Sequence, residues 1–199
     1  MKVALFSFFS AVLVTAAGVL ASNQPESQHD NHSPEFRAME RKIVYLKQNA
    51  ANPHPDPKPT ELTEPEANAY FNEGGVKLPK GVSHVRLTST PGGIDGHAQV
   101  DFEALMQGKR PANPLLSLFS GTHEIRVEAQ ATGSESTGSI REQLVSLDGV
   151  EVPQMLLQLF VQRYLTPKYP NVGITSTFKL PLRIDSAVVE SGRVRLIQK

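Results

Sequence analysis

Six histidines are the side chains in this sequence best suited to metal binding or acid–base chemistry. His29 and His32, with one aspartate between them, could ligate a metal, but their polar surroundings predict a solvated tail. His84, His97 and His123 fall on predicted strands, where a surface histidine is the default interpretation. Neighbouring strands could still bring two of these three together.

The sequence lacks the short motifs that place a nucleophile or hold a phosphate. Gly92, Gly93 and Gly96 resemble a glycine-rich loop, but no predicted helix follows to direct its N-terminus at an anion. Three acidic residues at alternate positions nearby are expected to be solvated (Asp95, Asp101 and Glu103). We therefore predict a protein that is not an enzyme, with no catalytic residue, no metal site and no cofactor.

The amino-acid composition excludes further classes of protein function. The chain of 199 residues contains no cysteine, which excludes a thiol nucleophile, a thiolate zinc site and an iron–sulfur cluster. The chain has 20 lysine and arginine residues in total and 20 aspartate and glutamate residues in total, so these charges balance. A balanced chain without a basic face is a poor candidate for nucleic-acid binding.

Residues 1–21 have the pattern of an export signal. Lys2 is followed by an uncharged apolar run that ends in the small-residue site Val19-Leu20-Ala21. We predict cleavage after Ala21 or Ser22 and a location in the periplasm or outside the cell. The uncharged run is long enough that an uncleaved N-terminal anchor is the alternative.

The next segments predict a leader, two helices and a linker. Residues 22–33 are polar and predict a disordered leader. Residues 34–51 carry apolar side chains at helical spacing, with Ser33 as N-cap and Pro34 at the first position. Proline at every second position from residue 53 to 59 predicts a stiff linker over residues 52–61. Thr63 and Glu66 form the capping box of a second helix, which Gly74-Gly75 should end.

From Val82 the apolar period changes from helical spacing to two, which predicts strands. Pro91-Gly92-Gly93 predicts the turn of a first hairpin, and later strands are predicted over residues 123–131, 139–147, 175–190 and 193–198. One face of each strand is polar. The expected fold is α+β: a curved antiparallel meander over residues 62–199, with one solvated face and one face that needs a cover.

That cover is predicted to be the helix Pro153–Leu165. Gln154, Gln158 and Gln162 form one narrow polar stripe, and nearly all other positions are apolar. A helix with so little polar surface is buried on more than one side. We expect the sheet to wrap around it and leave an apolar groove. The expected ligand contacts are Val100, Phe102, Met155, Leu156, Leu159, Phe160 and Leu182.

The loop between the second and third predicted strands contains a second apolar group. Leu115, Leu116 and Phe119 follow Lys109 and Arg110 closely. We predict that the three apolar side chains form the lip of the groove and that the two bases meet an anionic head group. The simpler alternative is that this apolar run packs into the core.

Three segments together resemble one family. They are residues 62–68 (LTEPEAN), residues 147–153 (LDGVEVP) before the apolar helix, and the closing hairpin from Leu180 to Val194. In order and spacing they look like the LmeA-like phospholipid-binding group, within the wider tubular lipid-binding type of fold. The resemblance covers about residues 62–197. It implies an acyl chain held between sheet and helix, and it supplies no catalytic residue.

The predicted function is thus non-catalytic binding of an acyl chain or other apolar ligand, possibly at a membrane surface. The alternative is a structural or assembly module whose apolar surface meets a protein partner. No nucleic-acid partner is expected.

Overall fold

A computed structural model describes residues 31–106, 108, 117–165 and 175–199 of the chain. Alternation of apolar and polar residues, together with the turn residues, produces one antiparallel sheet of nine strands, accompanied by few helices. The helices are α1 Pro34–Ala51, α2 Glu64–Asn72, α3 Phe102–Leu105 and α4 Gln154–Phe160, which continues as a π-helical turn over Val161–Leu165. The strands are β1 Thr60–Thr63, β2 Val82–Thr90, β3 Gly93–Asp101, β4 Thr122–Ser134, β5 Thr137–Leu147, β6 Val150–Glu151, β7 Thr175–Lys179, β8 Ile184–Glu190 and β9 Arg193–Gln198. Among these residues no helix is long and apolar enough to cross a bilayer.

The sheet is a meander only from β2 to β5. Strand β5 also pairs with β6 and β7, while β8, β9 and β1 form a second run that meets β4 at the pair Gly133–Ala187. A Cβ atom on Gly133 would lie 2.8 Å from the Cβ of Ala187, so a glycine is needed there for the two runs to approach. The predicted continuous meander is therefore wrong beyond β5.

The predicted strand over residues 175–190 is divided in two. Strand β7 pairs with β5, whereas β8 pairs with β9. Between them Leu182 and Arg183 both have φ of +54°, a left-handed conformation that strands do not contain. Pro181 precedes them and cannot donate to a strand ladder. The break lets one segment serve both parts of the sheet.

Helix α1 is packed into the fold by its apolar side. Met39, Ile43 and Leu46 are buried in a cluster with side chains of β1, β8 and β9. The segment after α1, predicted as a linker, folds back instead. The Asn49 side chain bonds the backbone N–H and C=O of Asp56, and Thr60 already lies in β1.

The predicted disordered leader also ends earlier than expected. The His32 ring stacks on Phe36 with 3.9 Å between centroids. The Ser33 hydroxyl caps α1 by accepting from the Phe36 N–H, and the Ser33 N–H donates to Glu73 of the α2 C-cap. Residues 32 and 33 thus tie the start of α1 to the end of α2.

Helix α2 closes the outer edge of β2 with side-chain amides. Asn68 accepts from the N–H of Leu87 and donates to its C=O, and Asn72 does the same for Val85. The Glu64 carboxylate accepts from the Ser89 N–H. Four helical residues rise about 6 Å and two strand residues about 6.8 Å, so the two spacings nearly match. An edge that could pair with another chain is thereby satisfied within the molecule.

We expect Asn68→Ala to lower the free energy of unfolding by about 1–3 kcal/mol, because it leaves the N–H and C=O of Leu87 without partners. Chemical denaturation measures this loss. Asn52→Ala is the matched control, since the Asn52 side chain is exposed at the end of α1. Equal stability of the two variants would contradict the proposed closure of the edge.

Candidate functional site

A histidine and an aspartate at one end of the sheet, with a serine nearby, superficially resemble a catalytic triad. His123 Nδ1 lies 2.6 Å from Asp148 Oδ2, and Ser120 belongs to the loop beside them. However, His123 Nε2 lies 2.7 Å from the backbone oxygen of Ser120, and the Ser120 hydroxyl donates to the Ser117 carbonyl. Both ring nitrogens face acceptors, an arrangement that favours the doubly protonated imidazolium. The ring thus acts as a clamp between Asp148 and the backbone of Ser120.

The electrostatics of the clamp agree with this assignment. The hydrogen bond to Asp148 raises the pKa of His123, and the hydrogen bond from His123 lowers the pKa of Asp148. A histidine pKa raised by folding adds stability that is fully present below about pH 6.5 and is lost as the pH rises through the raised value.

We expect Asp148→Asn to lower the pKa of His123, because the largest cause of its upward shift is removed. A titration of the imidazole resonances by NMR measures this pKa. Glu124→Gln is the control, since the Glu124 carboxylate contacts His97 and not His123. A His123 pKa that is the same in Asp148→Asn and in the wild type would overturn the assignment.

The other two strand histidines line a polar groove of about 570 Å³ on the solvated face of β2, β3 and β4. His97 lies between two carboxylates, 3.3 Å from Asp95 and 3.0 Å from Glu124. His84 stands at a register shift of β2 with φ of +52°. Within the described part of the chain no three histidine or acidic side chains are grouped to hold a metal ion.

The space between α4 and the sheet is filled by three phenylalanines. Phe119 and Phe160 stack with 4.2 Å between ring centroids, and Phe102 meets both edge-on at 5.5 and 5.6 Å. Val100 and these three side chains are all at most 2% exposed. Phe102 was predicted on a strand but begins α3, because Asp101 caps that turn by accepting from the Ala104 N–H. Its burial among the aromatic rings is unaffected.

The predicted burial of Met155 and Leu159 against the sheet is wrong. Met155 is 67% exposed and Leu159 38% exposed, while Leu157 and Phe160 take the inner positions and Leu156 is half-buried. Positions 155 and 159 share one side of the helix, and 157, 160 and 161 share the other. We call the side of the helix with Met155 and Leu159 the α4 outer face; Val150 of the preceding β6 is also exposed, at 71%.

Of the remaining predicted contacts only Leu182 is described, and it does not join this region. Leu182 packs with the α1 cluster, away from the cluster that contains Phe160. Its place is fixed by the break between β7 and β8. Lys109, Arg110, Leu115 and Leu116 lie outside the described residues.

A small apolar cavity lies where α1 and α2 cover the sheet, a place that sequence reasoning did not consider. Its volume is about 50 Å³, whereas ligand sites usually measure about 300–1,000 Å³. Its lining includes Met39, Leu62, Ala67, Leu87, Ile94 and Leu196. In this conformation the cavity is too small for an acyl chain.

Sequence reasoning also missed Glu142, a buried carboxyl on β5. It is 9% exposed, and neither carboxyl oxygen has a hydrogen-bond partner. Burial raises its pKa to about 7. The alternation of inward and outward residues along β5 could have placed Glu142 on the inner face, because Glu142 stands two residues after the inward-facing Ile140. A charged residue on the apolar face of a predicted strand is worth examining.

Taken together, the described residues offer a filled aromatic layer under α4, an exposed apolar face above it and one unpartnered carboxyl in the same sheet. No family model, curated protein or solved structure matches this chain.

Proposed function

We propose that this is an exported, non-catalytic protein that binds an acyl chain or similar apolar ligand at α4, at or near a membrane surface. The single observation that carries the proposal is the α4 outer face. Two large apolar side chains on one side of the helix, Met155 and Leu159, are exposed, and Val150 of the preceding β6 is exposed as well. Exposed apolar groups that cluster in this way are typical of interaction surfaces.

The physical gain is sufficient for a ligand without a strong charged anchor. Each methylene removed from water contributes roughly 0.8 kcal/mol, before the costs of ordering the chain are subtracted. We propose that the ligand first contacts the α4 outer face. The inner layer of Leu157, Phe160 and Val161 then moves away from the sheet to admit it, so that sheet and helix enclose the chain. The resemblance to the LmeA-like group supports this arrangement.

The test is uptake of a fluorescent fatty acid by protein purified without detergent, with native mass spectrometry to detect bound lipid. We expect Met155→Gln combined with Leu159→Gln to weaken uptake by about tenfold or more. Val188→Gln is the control, because Val188 is 48% exposed on β8, outside the α4 outer face. Absence of lipid and of uptake in the wild type would refute the proposal.

Export is the second part of the proposal. It is supported by the sequence of residues 1–21 alone. Intact-mass measurement on protein from the native host should give a chain that starts near Ser22 or Asn23. A soluble cytosolic protein that retains Met1 would end this part of the proposal.

The filled aromatic layer favours one other function, an assembly module that binds a protein partner. In that case the α4 outer face would meet the partner, with the exposed side of α1 as a docking arm. Val44 and Tyr45 of that helix are 42% and 38% exposed. Size measurement of the delipidated protein separates the two functions, since only the assembly module predicts dimers or a co-purified protein.

A further inference from the structure

Glu142 stands on the inner face of the sheet, inside the apolar layer that α4 covers. It pairs with Ala129 of β4, and the next inward pair is Val145 with Val127. Residues that face each other across an antiparallel pair lie on one side of the sheet. Those three neighbours belong to the same buried cluster as Leu157, Phe160 and Val161 of the helix.

Glu142 has no partner among the ionisable groups of the described elements around it. Arg141 is exposed beside it, Glu128 alternates with the inward residues of β4, and Arg163 is exposed on the π-helical turn. Its own backbone N–H is near the carboxyl, but the geometry leaves both carboxyl oxygens unbonded. A carboxyl held in this way retains its full acceptor capacity.

An unpartnered buried carboxyl is costly to a fold, so it calls for a specific reason. Contact with bulk water does not supply that reason, because both carboxyl oxygens are shielded from solvent. Packing does not supply it either, because the facing residue is only an alanine and an apolar side chain could occupy the same place. A group that binds there and donates hydrogen bonds to the two carboxyl oxygens would supply such a reason.

We propose that Glu142 is the polar anchor of the apolar-ligand site and that it receives a primary ammonium group at the end of an aliphatic chain. This inference rests on the proposed function. An ammonium supplies several donors and the opposite charge, so it offsets the desolvation of the carboxylate. An ester carbonyl or a carboxylate would supply neither a donor nor a positive charge.

The structure also indicates how such a group could reach Glu142. Helix α4 ends in the π-helical turn Val161–Leu165. Turns of this kind are rare in proteins overall, but those that occur often lie at functional sites. Movement of this turn would open the layer between α4 and β5 from the side of the helix C-terminus.

The test compares dodecylamine with dodecanoic acid, two probes that share a chain length and differ in the head group. Displacement of a fluorescent fatty acid from the full-length protein gives both affinities at about pH 8. We expect the amine to bind about tenfold more tightly than the acid, and Glu142→Gln to remove that preference. Glutamine keeps the shape of the side chain and removes the charge. Glu151→Gln is the matched control, because it removes an exposed carboxylate from neighbouring β6.

Carboxyl NMR of the wild type supplies an independent readout, since bound amine should lower the pKa of Glu142. Equal binding of both probes, or a preference that survives Glu142→Gln, overturns the inference and leaves the proposed function standing. A loss of preference in Glu151→Gln as well would assign it to general surface charge and also overturn it. If neither probe nor the fluorescent fatty acid binds, the inference and the proposed function fail together.

Discussion

Replacement of Phe160 by alanine is expected to lower the free energy of unfolding by about 3–5 kcal/mol. Phe160 is 1% exposed and contacts Phe119 face to face and Phe102 edge-on. Its removal takes away the transfer energy of one aromatic ring and leaves a cavity that two rigid rings cannot fill. For a chain of this size the melting temperature should fall by roughly 10 °C.

The neighbouring residue supplies the control. Leu159→Ala should cost clearly less, about 1 kcal/mol, because Leu159 lies on the α4 outer face and is 38% exposed, whereas Phe160 is 1% exposed. Thermal and chemical denaturation of both variants measure the difference. Leu159→Ala should instead weaken uptake of the fluorescent fatty acid. A similar loss of stability in the two variants would mean that α4 does not present opposite faces to core and solvent.

Glu142→Gln is expected to stabilise the protein in mildly alkaline solution. Burial raises the Glu142 pKa from 4.5 to about 7, so the folded state holds a proton that the unfolded state releases. Between these values the free energy of unfolding falls as the pH rises, and the loss is complete above the folded pKa. It amounts to roughly 3 kcal/mol, which the variant avoids.

The measurement is chemical denaturation of both proteins at about pH 5 and about pH 8. The stability of Glu142→Gln relative to the wild type should be greater at the higher pH, and other titrating groups cancel in that comparison. Glu151→Gln should show no such change. A relative stability that does not depend on pH would mean that Glu142 is charged in the folded protein at low pH.

Phe160 and Glu142 have different roles in the region that α4 covers. Phe160 holds the layer closed by packing, whereas Glu142 makes the same layer less stable than an apolar side chain would. A buried carboxyl without a hydrogen-bond partner calls for a specific reason, and a functional role would supply one. The proposed ammonium ligand would convert that cost into affinity.

Much of the local structure follows from the sequence by itself. The period of two and the turn residues predict the β2–β3 and β4–β5 hairpins, because side-chain direction and turn chemistry depend only on near neighbours. Thr63 and Glu66 mark the start of α2, and the Thr63 N–H donates to the Glu66 carboxylate. The α+β class and the antiparallel pairing are also predictable from the strands, since each has one apolar face.

The tertiary structure alone decided which side of helix α4 is buried. Helix α4 is apolar around most of its circumference, so its sequence does not distinguish Met155 and Leu159 from Leu157 and Phe160. The sheet it packs on makes that choice. Likewise, the division of residues 175–190 into two strands depends on pairing with β5 and β9, and the role of Asn68 and Asn72 depends on the edge of β2. Glu142 could be placed on an inward face from its period, but its lack of a partner arises from contacts between residues far apart in the chain. Local interactions determine the elements, and long-range packing determines which of their atoms meet.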